Sequence, residues 1–396
     1  MTAVHEVAAH PQAVSEPVAR PAAAERERLQ SVDILRGVVM VVMALDHVRD
    51  FVSVTGFNPT DLSRVTPALF LTRWVTHFCA PTFVFLAGCG AYLGRAAGKT
   101  RPELSRFLVS RGLWLVLLEL TVIRVAWSFE LTDNWVGVIW AIGWSMVALA
   151  ALIWLPTWAV GAFGLAMIAG HNAFDGVHGG ALWTVLHDQA PAHLLFWDIF
   201  IAYPLVPWVG VMAAGYALGP VLRSEPERRR RTLVALGVAC IALFVGLRAL
   251  NVYGDPSPWS HQRTALYTAL SFINVTKYPP SLLFLLVTLG PALLALAALD
   301  RVRVPGANPF LVFGRVPFFY YLAHLYLIHL VAVAILLPTQ GLAAFTVSPD
   351  VHPGESGLSL PWVYVVWIAV VVALYWPCRW YAGVKARTRN PLLSYL

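Results

Sequence analysis

The sequence predicts an all-α protein, a polytopic transmembrane helix bundle of about ten spans with both termini in the cytoplasm. Three observations predict it. Hydrophobic residues make up 58% of the 396-residue chain and charged residues only 12%, whereas soluble domains carry about a quarter charged residues. So little charge cannot cover a surface in water, and lipid must solvate much of the chain. Apolar runs of roughly 20 residues, the length that crosses a bilayer as a helix, recur from end to end. The basic residues cluster between alternate runs, which is the pattern of topology signals. The 28 Lys and Arg against 21 Asp and Glu could suggest a nucleic-acid partner, but that clustering argues against one.

Residues 1–28 are rich in Ala, with Val, Glu, Pro and Arg making up most of the rest. Without an apolar core they form no signal peptide, and the composition reads as a disordered cytoplasmic tail. The rest, 29–396, reads as a single transmembrane domain. Spans are expected at 34–54, 68–93, 107–127, 135–154, 157–171, 197–221, 232–250, 280–299, 309–336 and 361–381. One set of connections holds twenty Lys and Arg, including Arg95, Lys99, Arg101 and the block Arg228–Arg231; the alternate set holds five, Arg49, Arg64, Arg124, Arg263 and Lys277. The richer set belongs in the cytoplasm. The basic block reads first as a topology and anionic-lipid anchor, with coenzyme phosphates as its other reading. Trp135, Trp362 and Trp380 near span ends fit interfacial anchors. Two outer connections, 172–196 and 251–279, are long enough to carry function. The first holds His178, His187, Asp188 and His193. Cys79, Cys89, Cys240 and Cys378 show no CxxC or CxxH spacing, so no metal is expected.

Ionisable groups inside a membrane are costly and mark functional sites. The first span is the richest, with Asp33, Arg36, Asp46, His47, Arg49 and Asp50. Arg36 and His47 share a helix face, about 16 Å apart along the axis. Asp46 adjoins His47 in sequence but points elsewhere. Asp50, three residues on, shares its face and could hold one imidazole nitrogen, leaving the other as a base. Chemistry alone leaves open a polar cluster that only locks helices together. Arg73 and His77 stand four apart on the second span, and Glu119 sits mid-span in the third. His324 and His329 lie about 140° apart in azimuth, so at most one can face a shared cavity. Pro81, Pro204, Pro207 and Pro317 interrupt spans, which favours a bundle with an internal cavity.

The Arg36-x10-His47 spacing, with Arg36-Gly37 after Asp33, resembles the acyltransferase-3 membrane family. Longer stretches resemble bacterial membrane proteins that carry the catalytic domain of heparan-alpha-glucosaminide N-acetyltransferase. They are RLQSVDILRGVVMVVMALDHVRDF at 28–51, RWVTHFCAPTFVFLAGCGAYL at 73–93, NVYGDPSPW at 251–259, SFINVTKYPPSLLFLLVTLGP at 271–291 and CRWYAGVKAR at 378–387. The resemblance implies a bacterial inner-membrane enzyme using acetyl-CoA as co-substrate. The donor enters from the cytoplasm, its pantetheine arm reaches into the bundle, and acetyl passes to a sugar or amine on the outer side. On that reading His47, Asp50 and Asp46 are catalytic, and Arg36, Arg73 and His77 bind the donor. Asn274, Lys277, Tyr278, Glu119 and His324 bind the acceptor or stabilise thioester charge. An acetyl-histidine intermediate is equally open. The rival is a transporter or flippase, which also uses broken helices and midplane charges, although no inverted repeat is evident.

Overall fold

The computed structural model describes residues 29–130, 134–194, 197–347 and 356–388. The tail expected over 1–28, and Arg389, lie outside the described residues. The chain opens with α1 (Gln30–Val52), then α2 (Pro67–Val75) and α3 (Cys79–Ala96) joined by a 3-10 turn over Thr76–Phe78. Next come α4 (Arg101–Leu118) and α5 (Arg124–Ser128), joined through a π turn over Glu119–Ile123, then α6 (Val138–Leu152), α7 (Thr157–Gly170) and the short α8 (Ala181–Leu186). The remainder is α9 (Leu205–Leu222), α10 (Pro226–Leu250), α11 (Ala265–Ile273), α12 (Leu282–Leu299), α13 (Pro309–Arg315), α14 (Pro317–Gln340) and α15 (Leu360–Arg387).

Among the described residues, six helices are long and apolar enough to cross a membrane: Pro67–Ala96, Leu205–Leu222, Pro226–Leu250, Leu282–Leu299, Pro317–Thr346 and Leu360–Arg387. α1 and α4 are as long but carry too many charges, and α6 and α7 are short, at 15 and 14 residues. The class is helical but not purely so. β1 (Trp135–Val136), β2 (Ala190–Leu194) and β3 (Trp197–Ile201) form a three-stranded sheet in the order β1-β3-β2. The span expected at 197–221 therefore starts later, at Leu205. The reason lies in period: Ile199 and Ile201 are buried while Asp198 and Phe200 are exposed, an alternation that a strand satisfies and a helix does not. Pro204 and Pro207 accordingly begin α9 instead of interrupting it.

Local chemistry sets the other breaks. Pro81 has no N–H to give the carbonyl four residues back, at His77, and the chain tightens there into the 3-10 turn. Pro317 likewise separates α13 from α14. A capping box opens α4: Thr100 Oγ1 accepts from the Glu103 backbone N–H, and the Glu103 carboxylate accepts from that of Thr100.

α1 runs through the middle of the bundle and packs on α3, α12, α13, α14 and α15. Lipid tails are as apolar as leucine, so burial gives little drive to bring such helices together, and close backbone approach matters instead. Glycines supply it on both sides of the main pairs: Gly88 and Gly215 between α3 and α9, Gly112 and Gly143 between α4 and α6, and Gly37 and Gly314 between α1 and α13. A Cβ on Gly88 would overlap the Met212 carbonyl oxygen. Gly88→Leu is therefore expected to lower stability by about 1–3 kcal/mol or more, read as a lower melting temperature in detergent. Gly246→Leu, on a face with nothing within 4 Å, is expected to leave it unchanged. α15 turns Val365, Ile368, Val372 and Trp376 outward, a continuous apolar stripe that suits acyl chains.

Candidate active site

The last two turns of α1 carry Asp46, His47, Arg49 and Asp50 beside a cavity of about 470 Å³. Asp46, His47 and Asp50 line it, with Arg73 and Thr76 across from them, Trp127 from α5, and Tyr203, Lys277 and Tyr278 from the connections. A second cavity of about 310 Å³ lies between α1, α3, α4 and α6. Its walls are largely apolar, but Arg36 near the start of α1, Lys99 in the α3–α4 connection and Arg111 also line it. Met43, Phe83, Val138 and Tyr321 line both cavities. The two thus meet at one apolar neck, with three cations on one side of it and His47 on the other.

The charges of the His47 chamber are tied together. Asp46 takes Arg49 Nη2 on one oxygen at 2.8 Å and Arg73 Nη1 on the other at 2.7 Å. Arg49 Nη2 also reaches Asp50 at 2.5 Å. With Lys277 the chamber holds three cations against two carboxylates, a balance that favours developing negative charge.

His47 faces His324 of α14, with Nδ1 and Nε2 at 2.7 Å and the rings stacked at 4.9 Å. The tautomers can be assigned from the network. The Tyr320 carbonyl can only accept, so His324 Nδ1, 3.0 Å away, carries a proton. Neutral His324 then offers Nε2 as an acceptor, and His47 Nδ1–H donates to it. That leaves the lone pair on His47 Nε2, on a ring braced edge-on by Trp127 at 4.8 Å. A histidine so held can accept a proton from a defined direction.

Lys277 and Tyr278 are placed by a polar clamp outside the chamber. Buried Arg248 donates to the carbonyls of Ser257, Ser271, Phe272 and Asn274. Asp255 accepts from the Thr276 N–H at 2.8 Å and the Ser281 hydroxyl at 2.6 Å. The stretches 251–259 and 271–291 therefore fold as one unit, and Ser281 goes on to cap α12. Tyr278 also reaches Tyr203, hydroxyl to hydroxyl, at 3.5 Å.

The sequence-derived candidates divide accordingly. His47, Asp46, Asp50, Arg73, Lys277 and Tyr278 line one chamber, and His324 backs it. The orienting contact expected from Asp50 is made by His324, because Arg49 takes up the Asp50 carboxylate. Arg36 and Arg73, grouped together from sequence, line different cavities. Arg36 also binds Asp33 Oδ1 and the Gly314 carbonyl, each at 3.2 Å. His77 lines neither cavity and packs on Phe284 at 5.3 Å; it sits in the 3-10 turn that follows α2, which breaks the α-helical face shared with Arg73. Asn274 donates its side chain to the Thr60 carbonyl and belongs to the clamp. Glu119 is buried and accepts from the Gly137 N–H at 2.5 Å. His329 donates to the Ala126 carbonyl and stacks on Phe129, apart from the chamber. Tyr321 at the neck and Trp127 against His47 were not singled out from sequence. Tyr321 could have been, since it stands three residues before His324 on the same helix face.

A comparison with curated proteins finds no match. Residues 28–254 match the family described as heparan-alpha-glucosaminide N-acetyltransferase, catalytic. That stretch holds His47, Arg36, Arg73 and the walls of both cavities contributed by α1, α3, α4 and α6. The chain belongs to the heparan-alpha-glucosaminide N-acetyltransferase catalytic-domain family.

Proposed function

We propose that this membrane acetyltransferase takes acetyl from acetyl-CoA on the cytoplasmic side and passes it, at His47, to an amine or hydroxyl of a sugar or small amine on the outer side. The observation that carries this reading is the pair of cavities meeting at Met43, Phe83, Val138 and Tyr321. The apolar one suits a pantetheine arm, and Arg36, Lys99 and Arg111 suit the phosphates of the coenzyme. The polar one suits a hydrophilic acceptor.

In this mechanism His47 Nε2 accepts a proton from the acceptor N–H or O–H as that nucleophile attacks the thioester carbonyl. The new C–N or C–O bond forms, the C–S bond breaks, and the proton passes from His47 to the leaving CoA thiolate. Lys277 donates to the carbonyl oxygen as it gains charge. Asp46 and Asp50 hold the arginines and do not move protons. Around this site we read one domain of ten spans, adding α1, α4–α5, α6 and α7 to the six apolar helices, with both termini cytoplasmic in a bacterial inner membrane. The excess of Lys and Arg in alternate connections supports that orientation.

Donor binding tests the reading. A charge-assisted contact contributes about 1.5–3 kcal/mol. Lys99→Ala with Arg36→Gln is therefore expected to weaken acetyl-CoA binding at least about tenfold by equilibrium dialysis on folded protein, with the melting temperature lowered because Arg36→Gln removes the cation paired with the buried Asp33 carboxylate. Unchanged affinity in the double variant would move the donor elsewhere.

A further inference from the structure

The segment that follows α7 lies at the rim of the His47 chamber. Gln189 and Tyr278 line both that chamber and an adjoining surface pocket walled by Asp175, His178, His187 and Asp188. The transfer chemistry uses none of these last four. His171 and Asp175 stand one turn apart just after α7, and His187 follows α8.

Their ligand-type atoms converge. His171 Nδ1 lies 3.4 Å from His187 Nε2, and Asp175 Oδ1 lies 3.7 Å from the same nitrogen. One ligand atom from each of the three lies within 4.8 Å of the other two. With metal–nitrogen bonds of about 2.0–2.1 Å in a tetrahedron, neighbouring ligand atoms stand roughly 3.3 Å apart. Both imidazoles are buried, at 3% and 2% exposure. Asp175 Oδ1 is buried without a hydrogen-bond partner, as are His171 Nε2 and His187 Nδ1. A buried carboxylate oxygen left unsatisfied is costly, and a cation held between Asp175 Oδ1, His171 Nδ1 and His187 Nε2 would satisfy it.

The surroundings orient the set as outer partners do at metal centres. The Asn172 side-chain amide donates to Asp175 Oδ2 at 2.9 Å, which turns Oδ1 toward the histidines. Asp188 Oδ1 stands 3.8 Å from His187 Nδ1, on the ring edge away from the cluster. Trp183 stacks on His187 at 5.2 Å. The His171 carbonyl, 2.9 Å from His187 Nε2, accepts a hydrogen bond from that N–H when no metal replaces the proton.

We propose that His171, Asp175 and His187 bind one divalent transition-metal ion of the zinc type. The ion ties the end of α7 to the end of α8 and so fixes the rim of the His47 chamber, with a water completing its coordination. The sequence reading expected no metal because it weighed cysteine spacings and treated 172–196 as a loop. This inference does not rest on the acetyl-transfer reading.

The test uses the full chain without a polyhistidine tag, stripped with chelator and titrated with Co²⁺ and then Zn²⁺. The expected result is one equivalent of Co²⁺ with visible d–d absorption, displaced by Zn²⁺, and a melting temperature raised by Zn²⁺. His187→Ala and Asp175→Asn lose the absorption, while His193→Ala, an exposed histidine paired with Asp198, keeps it. Folded wild-type protein that shows neither the absorption nor the Zn²⁺-dependent stabilisation overturns the proposal, as does undiminished binding in the two ligand variants. The wild-type titration decides the matter even where a variant fails to fold.

Discussion

His47→Ala is expected to cut acetyl transfer by about 10²–10⁴-fold, the range a positioned general base supplies, with the loss in kcat and acetyl-CoA affinity kept. His47 lines the polar chamber with its Nε2 lone pair uncommitted to His324, whereas the cavity of Arg36, Lys99 and Arg111 is lined by other residues. The neighbouring histidine gives a graded companion. His324 Nε2 accepts from His47 Nδ1–H, so His324→Leu leaves the base in place with its tautomer unfixed. His324→Gln restores an acceptor. The expected kcat order is wild type, His324→Gln, His324→Leu, His47→Ala, measured by steady-state kinetics with saturating donor. A His47→Ala enzyme at wild-type rate would remove the base from the account.

The second large effect falls on stability. Among the described residues, Asp46 is the one carboxylate that both Arg49 and Arg73 reach, and the three side chains are only 11%, 4% and 13% exposed. Removing one member of a buried ion cluster strands the others, which destabilises by about 3–5 kcal/mol. Asp46→Ala is therefore expected to melt far below wild type in detergent, with Asp46→Asn between the two because its amide oxygen still accepts from one arginine while its NH2 group cannot accept from the other and the charge is lost. Asp50→Asn is expected to cost less, since the Asp50 side chain is 27% exposed and, among the described residues, forms an ion pair with Arg49 alone. Wild-type melting in Asp46→Ala would mean that the arginines find other partners.

Much of this arrangement was legible in the sequence, because a membrane penalises charge. Asp46, His47, Asp50 and Arg73 stood out as polar groups in apolar runs, and all four line one chamber. Helical period also put Arg36 and His47 on one face, and they line the two cavities that meet at the neck. What period could not show was pairing between distant helices. His324 lies 277 positions from His47, and only the packing of α14 against α1 brings them together. Asp50 was the better partner on the helix considered alone; Arg49, its neighbour, could not be weighed without side-chain directions. Residues 197–201 read as the start of a span because Trp, Ile and Phe are apolar in either period, and the pairing with β2 decides the matter. The clamp of Arg248 and Asp255 was visible only as resemblance over 251–259 and 271–291, since its bonds go mainly to backbone carbonyls and N–H groups that no sequence pattern marks.

The central claim is that one route leads from the cations at Arg36, Lys99 and Arg111 through the neck to His47. Sealed proteoliposomes of uniform orientation test it most directly, with acetyl-labelled CoA given only on the Arg36 side and glucosamine only on the Lys277 side. The account predicts labelled N-acetylglucosamine on the Lys277 side, free CoA on the other, and loss of both with His47→Ala. Product on the donor side would contradict it, as would transfer that proceeds in detergent and vanishes once the membrane separates the two substrates.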